Sequence, residues 1–306
     1  MTAQTIYGAK EPSPATAALL VESAPLMFEW SRSECARKST GGMEEWAKTE
    51  RKAASDALAC DWYHGTWQFL RLVNMVAVPP WYSFYQGALT EALAATPQPR
   101  VLISACADYG MLATLHEAIV ASKASPKIVV VDICETPLRA CRWYAERFGL
   151  QIECHKDNLL TSSALREGSF DVIVTDEFFT VIKNSDKPII AGRWRQLLAP
   201  GGALVTTAMI GDATTPVLRD QYAEKARRAW EENQALAGKL GLDVAKLVEC
   251  CRQFASFHNR FMISSETQMK EILAGFNFTL IPIVTPGECV NPTSSFQIVA
   301  RIGGNA

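Results

Sequence analysis

The sequence predicts an α/β fold: a mostly parallel sheet with an antiparallel strand pair at its C-terminal end and a cap of helices at its N-terminal end. Three observations predict it. Short, continuously apolar runs recur between residues 100 and 207, and uninterrupted runs of this kind belong to strands buried on both faces. Amphipathic segments about a dozen residues long separate most of these runs, the length of a crossover between parallel strands. The chain also changes character at Thr96-Pro97-Gln98-Pro99, where aromatic-rich helical sequence gives way to the strand–helix alternation.

Residues 1–14 are small and polar with two prolines, a composition that orders poorly. Helical periodicity runs over 15–37 and 43–59, interrupted by Gly41-Gly42. A helix over 62–77 stops before Pro79-Pro80, and another runs over 81–94. The strand runs lie at 100–104, 127–131, 150–154, 170–174 and 203–207, with helices over 109–122, 136–148 and 187–198. After the fifth strand a long charged helical stretch covers 216–257, divided at Gly241. Ser265 and Gln268 form a capping pair for a helix ending at Gly275. Two strand patterns, 276–284 and 295–302, close the chain around a loop holding Pro286-Gly287 and Asn291-Pro292. This divides the chain into a helical cap, 1–96, and an α/β domain, 97–306, with a helical insertion at about 212–262.

The chain has 306 residues, 48% hydrophobic and 20% charged, as ordinary globular proteins do. A net charge of −2 gives no general attraction to phosphate backbones or anionic lipid, so neither a nucleic-acid nor a membrane partner is expected. Nine cysteines without a CxxC pair read as reduced thiols, and with no basic-then-apolar leader and no run of about 20 apolar residues the expected location is the cytoplasm.

An open parallel sheet binds ligands beyond the C-terminal ends of its strands, where strand order reverses. After the first strand come Ala105, Cys106, Ala107, Asp108 and Gly110, small residues that let the backbone approach a ligand, followed by the free N–H groups of a helix start. At the second strand's end stands Asp132, next to Ile133, a carboxylate placed to accept both hydroxyls of a ribose. After the third come Asp157 and Asn158, where an adenine would lie; after the fourth come Asp176, Glu177, Phe178 and Phe179, and Leu197 to Gly202 turn into the fifth strand.

In this order and at these intervals, the series resembles the Rossmann-like class I methyltransferases that depend on S-adenosylmethionine. The resemblance covers residues 97 to about 210 and, through the last helix and strand pair, reaches the C-terminus. It implies S-adenosyl-L-methionine as cofactor, with methionine on the first loop, ribose on Asp132, adenine near Asp157 and the methyl group facing Asp176. The first loop departs from the family. Ile103 stands where an acidic residue is usual, and Ala105, Ala107 and Tyr109 stand where glycines are. The alanines fit if the backbone keeps negative φ, and Asp108 is then expected to hold the methionine amino group. The missing glycines argue against a dinucleotide, and there is no phosphate-binding P-loop. Aminopropyl transfer on the same fold, and a non-catalytic member, are the alternatives.

The cap supplies candidates for a small-molecule acceptor. His64, Trp67 and Arg71 share one helix face and offer a titratable group, an aromatic wall and a guanidinium. Tyr63, Trp81, Tyr82, Tyr85 and Phe178 add aromatic surface, although Trp67, Phe69, Trp81 and Phe84 read equally well as packing. Phe254, Phe257, His258, Arg260 and Phe261 form a second candidate lining from the insertion. Methyl transfer rests mainly on holding the acceptor in line, close and dry. Where a base is needed, His64 and Asp176 are the candidates. No hard-ion carboxylate cluster beyond Asp176-Glu177 suggests a metal. Oxygen, nitrogen, carbon and sulfur acceptors all remain open, and the aromatic cap suits a homodimer as well as a monomer.

Overall fold

The β-branched and leucine runs form the strands expected of them, and their period-two alternation feeds two separate cores. A computed structural model describes residues 14–40, 60–76, 78–79, 81–211, 215–258, 261–284 and 294–302. Its sheet comprises β1 (Arg100–Ser104), β2 (Lys127–Asp132), β3 (Ile152–Lys156), β4 (Phe170–Val174), β5 (Leu198–Ile210), β6 (Asn277–Val284) and β7 (Ser294–Arg301). The order is β3-β2-β1-β4-β5-β7-β6. The first five strands pair in parallel, whereas β7 runs antiparallel to β5 and β6.

One sheet face carries Val101, Ile103, Val130, Val172, Val174 and Val205. It is covered by α4 (Gly110–Ser122) and α5 (Glu135–Phe148), and by two cap helices, α1 (Pro14–Thr40) and α3 (Tyr82–Ala94). The other face carries Leu102, Val129, Val131, Ile173 and Leu204 beneath α6 (Lys187–Leu197) and α10 (Glu266–Ile272). Trp194 of α6 is fully buried there and donates its indole N–H to Ser104 Oγ at 2.9 Å.

A third core joins cap to insertion. Ala24 and Phe28 of α1 and Phe69 and Leu70 of α2 (Cys60–Leu72) pack with residues of α7 (Pro216–Glu232), α8 (Gln234–Lys239) and α9 (Val244–His258). Phe254 of α9 lies 6.0 Å from the Tyr63 ring and 5.1 Å from Trp67. The two segments that the sequence assigns to separate units thus bury their apolar faces against each other.

Several boundaries differ from the sequence reading. The third strand starts at Ile152, two residues late, because Gly149 (φ +67) and Leu150 turn their N–H groups back to the Ala145 carbonyl and close α5. β5 is longer than its apolar run because β7 pairs with it from Ala203 to Ile210. The charged stretch breaks at Asn233 as well as near Gly241 (φ +63). Ser265 accepts from the Gln268 N–H at 3.1 Å, but the Gln268 side chain accepts from Ser264 N, one residue earlier than in the expected reciprocal box. That helix ends at Ile272 rather than at Gly275. The helix expected over 43–59 and the loop holding Pro286-Gly287 lie outside the described residues. No helix among the described residues is long and apolar enough to cross a membrane.

Gly65 sets the distance between α1 and α2, since a Cβ there would stand 2.2 Å from the Phe28 ring. Gly65→Ala is therefore expected to destabilise the protein by about 1–3 kcal/mol through overpacking. A urea titration reads this as a lower midpoint with an unchanged slope.

Candidate active site

Strand order reverses at β1, which lies between β2 and β4, so the loops leaving β1 and β4 diverge and open a crevice at the strands' C-terminal ends. Two groups of side chains meet there, one at the β1–β2 side and one at the end of β4.

On the first side, Asp132 ties the loop after β1 to the tip of β2. Its Oδ2 accepts from Cys106 N at 3.0 Å and its Oδ1 from Cys134 N at 2.7 Å. Burial pushes the Asp132 carboxyl up to about 6, and the two N–H donors offset this only in part. Ile133 beside it is 49% exposed, unusual for an isoleucine at the end of a buried strand. In the loop after β3, Asp157 accepts from Asn158 N and from the Ser162 hydroxyl, while Asn158 Oδ1 accepts from Leu160 N. Both side chains thereby shape their own turn, and both remain partly exposed toward the crevice end of the sheet.

The first loop corrects one expectation. Ala105 has φ +64, not the negative φ under which an alanine fits without strain. The left-handed turn lets Ala105 N reach the Val131 carbonyl at 2.8 Å while Cys106 N reaches Asp132. Ala107 keeps an ordinary φ. Gly110 has no room for a side chain, since a Cβ would lie 2.6 Å from the Val78 carbonyl oxygen.

Helix α2 grips this loop along one face. His64 Nδ1 lies 3.0 Å from the Ala107 carbonyl oxygen. Gln68 Nε2 and Arg71 donate to Asp108 Oδ2 at 2.7 and 2.5 Å, and Asp108 Oδ1 accepts from Gly110 N at 2.6 Å. Asp108 is fully buried. Asp108, expected to hold a methionine amino group, and Arg71, expected to meet substrate, hold each other in this structure. Opposite charges lacking water find each other first. Gln68, which the sequence reading passed over, completes the arrangement; a polar residue on an otherwise buried helix face is the signal that marks it.

His64 also changes place. It is buried, and burial works to lower its pKa, but the neighbouring Cys134 thiol, Asp132 and the Ala107 carbonyl outweigh this and raise it. It therefore belongs to the Asp132 side of the crevice and not to the end of β4. Tyr63 and Trp67 stack at 6.3 Å and face Phe254 in the cap–insertion core. Tyr82 pairs through its hydroxyl with Glu117 on the exposed side of α4, away from the crevice. The His258 side chain and all of Arg260 lie outside the described residues.

At the end of β4 the structure gathers Trp81, Tyr85, Asp176 and Phe178. The Tyr85 hydroxyl lies 2.8 Å from the Thr175 carbonyl oxygen, 3.0 Å from Asp176 Oδ1 and 3.0 Å from Thr207 Oγ1. Thr207 donates to the same Asp176 oxygen at 3.1 Å. Glu177, a non-glycine residue at φ +48, turns inward, where its Oε1 accepts from Trp81 Nε1 at 3.3 Å and Ser295 Oγ at 3.2 Å. Its Oε2 is buried without a hydrogen-bond partner. Phe178 turns to the core under α6, 6.0 Å from the Trp194 ring. Burial raises the pKa of both carboxyls, and the Asp176 charge pushes Glu177 further up. Thr207 and Ser295 were not legible in the sequence, because they come from β5 and β7 and only the sheet order brings them beside β4.

Residues 101–202 match the family model of a methyltransferase domain, a span that runs from β1 to the turn in β5 and holds Asp132, Asp157, Asp176 and Glu177. No curated protein sequence matches the chain. An O-methyltransferase family protein from Burkholderia thailandensis is similar in fold, at 13% identity over 92% of this chain and 72% of its own, with a TM-score of 0.50. The N-methyltransferase NodS from Bradyrhizobium japonicum WM9, in complex with S-adenosyl-L-homocysteine, aligns at 15% identity over 76% of this chain and 98% of its own, TM-score 0.42. A SAM-dependent methyltransferase from Methanosarcina mazei aligns at 16% identity over 68% and 94%, TM-score 0.43.

Two outcomes are expected. Ala105→Gly relieves a left-handed alanine and raises stability by about 1 kcal/mol, seen as a higher denaturation midpoint. Asp132, Asp176 and Glu177 have raised carboxyl pKa values, so the folded state keeps protons that the unfolded chain loses above about pH 4. Their stabilisation is therefore lost as pH rises from there through neutrality, and the raised His64 acts in the same direction. The melting temperature should fall between pH 5 and pH 8, with a shallower slope in Glu177→Gln.

Proposed function

We propose that this chain, a class I methyltransferase with S-adenosyl-L-methionine as methyl donor, methylates a small molecule enclosed between the end of β4 and the helical cap. The observation that carries the reading is the Asp132 carboxylate. It stands at the tip of the strand beside the switch point, bonded to the loop after β1 through one oxygen and to the start of α5 through the other. Each oxygen keeps a further lone pair, so both hydroxyls of a ribose find an acceptor there. Ile133 offers an apolar face beside it for adenine, and residues 105–107 carry no side chain larger than a cysteine to obstruct the methionine part. The donor supplies a methyl group on a cationic sulfur, which departs as a neutral thioether.

The rest of the work falls to the chain. His64, Gln68 and Arg71 hold the loop after β1 in place, so His64 serves as a positioning residue and not as a base. Asp176 and Glu177, at the end of β4, are the carboxyls in reach of an acceptor's proton. The aromatic cap excludes water, and Trp81 and Tyr85 bound the space an acceptor would occupy. An enclosed aromatic site without a basic surface favours a small molecule over protein or nucleic acid. The free thiols Cys106, Cys141, Cys154 and Cys251, among the described residues, suit a cytoplasmic location.

Calorimetric titration with S-adenosylhomocysteine tests the reading. The wild type is expected to bind in the micromolar range, on the order of −8 kcal/mol, and Asp132→Ala to lose that binding while staying folded. A folded wild type that does not bind would overturn it.

A further inference from the structure

The end of β4 is short of positive charge. Asp108, Asp176 and Glu177 lie close enough that the Asp108 charge raises the Asp176 pKa and Asp176 that of Glu177. Arg71 is the one cation paired within this group among the described residues, and it is committed to Asp108. The donors around Asp176 and Glu177 are all neutral: Tyr85, Thr207, Trp81 and Ser295. They converge on Asp176 Oδ1 and Glu177 Oε1 and leave Glu177 Oε2 buried with no donor. Glu177 itself is 9% exposed. A buried carboxyl oxygen without a donor is costly, and a ligand that brings one would complete it.

We infer that Glu177 Oε2 receives a cationic nitrogen, and that the methyl acceptor is an amine docked as its ammonium against the Asp176–Glu177 pair. The inference rests on the methyl-transfer reading above. The donors that reach the pair are all neutral, so an ammonium docked there supplies the one charge that would hold as carboxylates the groups that burial otherwise keeps protonated. The Trp81 indole N–H, 3.3 Å from Glu177 Oε1, is spent on that oxygen and leaves Oε2 for a ligand. A hydroxyl acceptor would give Oε2 a donor but leave the charge uncompensated.

The step balances without a further reactant. The ammonium gives one proton to the Glu177 carboxylate, forming the carboxylic acid and freeing the nitrogen lone pair. That pair forms the N–CH3 bond as the S–CH3 bond breaks, with its electron pair passing to sulfur. The products are a methylated ammonium and a neutral thioether, and the proton on Glu177 leaves to solvent when the site opens.

The test compares benzylamine with benzyl alcohol and benzoate, its neutral and anionic counterparts, by ligand-observed NMR titration. It uses wild type and Glu177→Gln, each free and saturated with S-adenosylhomocysteine. Wild type is expected to prefer the amine over the alcohol by about tenfold or more, as a buried charge-assisted contact gives, and Glu177→Gln to reduce that preference to about twofold or less. S-adenosylhomocysteine affinity should be the same in both proteins, which also shows that the variant is folded. Equal binding of amine and alcohol by the wild type, or a preference that survives in Glu177→Gln, would overturn the inference. So would loss of S-adenosylhomocysteine affinity in Glu177→Gln, which would put this carboxylate on the cofactor. Failure of the wild type to bind S-adenosylhomocysteine would instead count against methyl transfer, and the amine titration of the free protein would still decide the role of Glu177.

Discussion

The buried contact between Arg71 and Asp108 makes the helical cap and the sheet one structure, and much of the site depends on it. Asp108 sits in the loop leaving β1, and its two oxygens are filled by Gly110 N, Gln68 and Arg71. The loop is thereby fixed from outside, by a helix, and from inside, by the start of α4. Removing one member of a buried pair typically costs about 3–5 kcal/mol because the other charge is left without water or partner. Such a contact forces α2 to sit at one height above the loop. From that height His64 reaches Ala107 and Tyr109 meets Ser23 of α1 at 3.2 Å.

Backbone strain collects at the same crevice. Ala105 and Glu177 both hold left-handed φ without being glycine, one after β1 and the other just beyond β4, on either side of the switch point. Each local cost is met by what the turn achieves. At Ala105 it brings Cys106 N to Asp132; at Glu177 it directs a carboxylate inward against Trp81 and Ser295. Strain of about 1–3 kcal/mol per residue persists only where the surroundings dictate the conformation. Here the surroundings are Val131 and Asp132 at the first turn and Trp81 and Ser295 at the second.

How much of this was legible in the sequence follows from range. Val129, Val130 and Val131 announce a buried strand, and Asp132 its polar end, because strand burial and its termination are written in adjacent residues. The helix caps and the break at Gly241 are legible for the same reason. The third strand's start was misplaced by two residues because closure of α5 by Gly149 competes for the same stretch of chain. Helix periodicity placed His64, Trp67 and Arg71 on one face, but it carried no information on what that face meets. Trp67 turned to the insertion and Arg71 to Asp108.

The sequence by itself determined the alternation of strands and helices, the cap ahead of them, and the strand ends that carry Asp132 and Asp176. These depend on periodicity and chain breaks within a few residues. Only the tertiary structure decided the partners: Ser295 lies 118 residues from Glu177 and Trp81 lies 96 from it, yet both bond the same oxygen. Which of two carboxylate oxygens is left without a donor depends on the order of strands in the sheet and on the seating of the cap. Both are fixed by the burial of apolar faces that no local pattern pairs in advance.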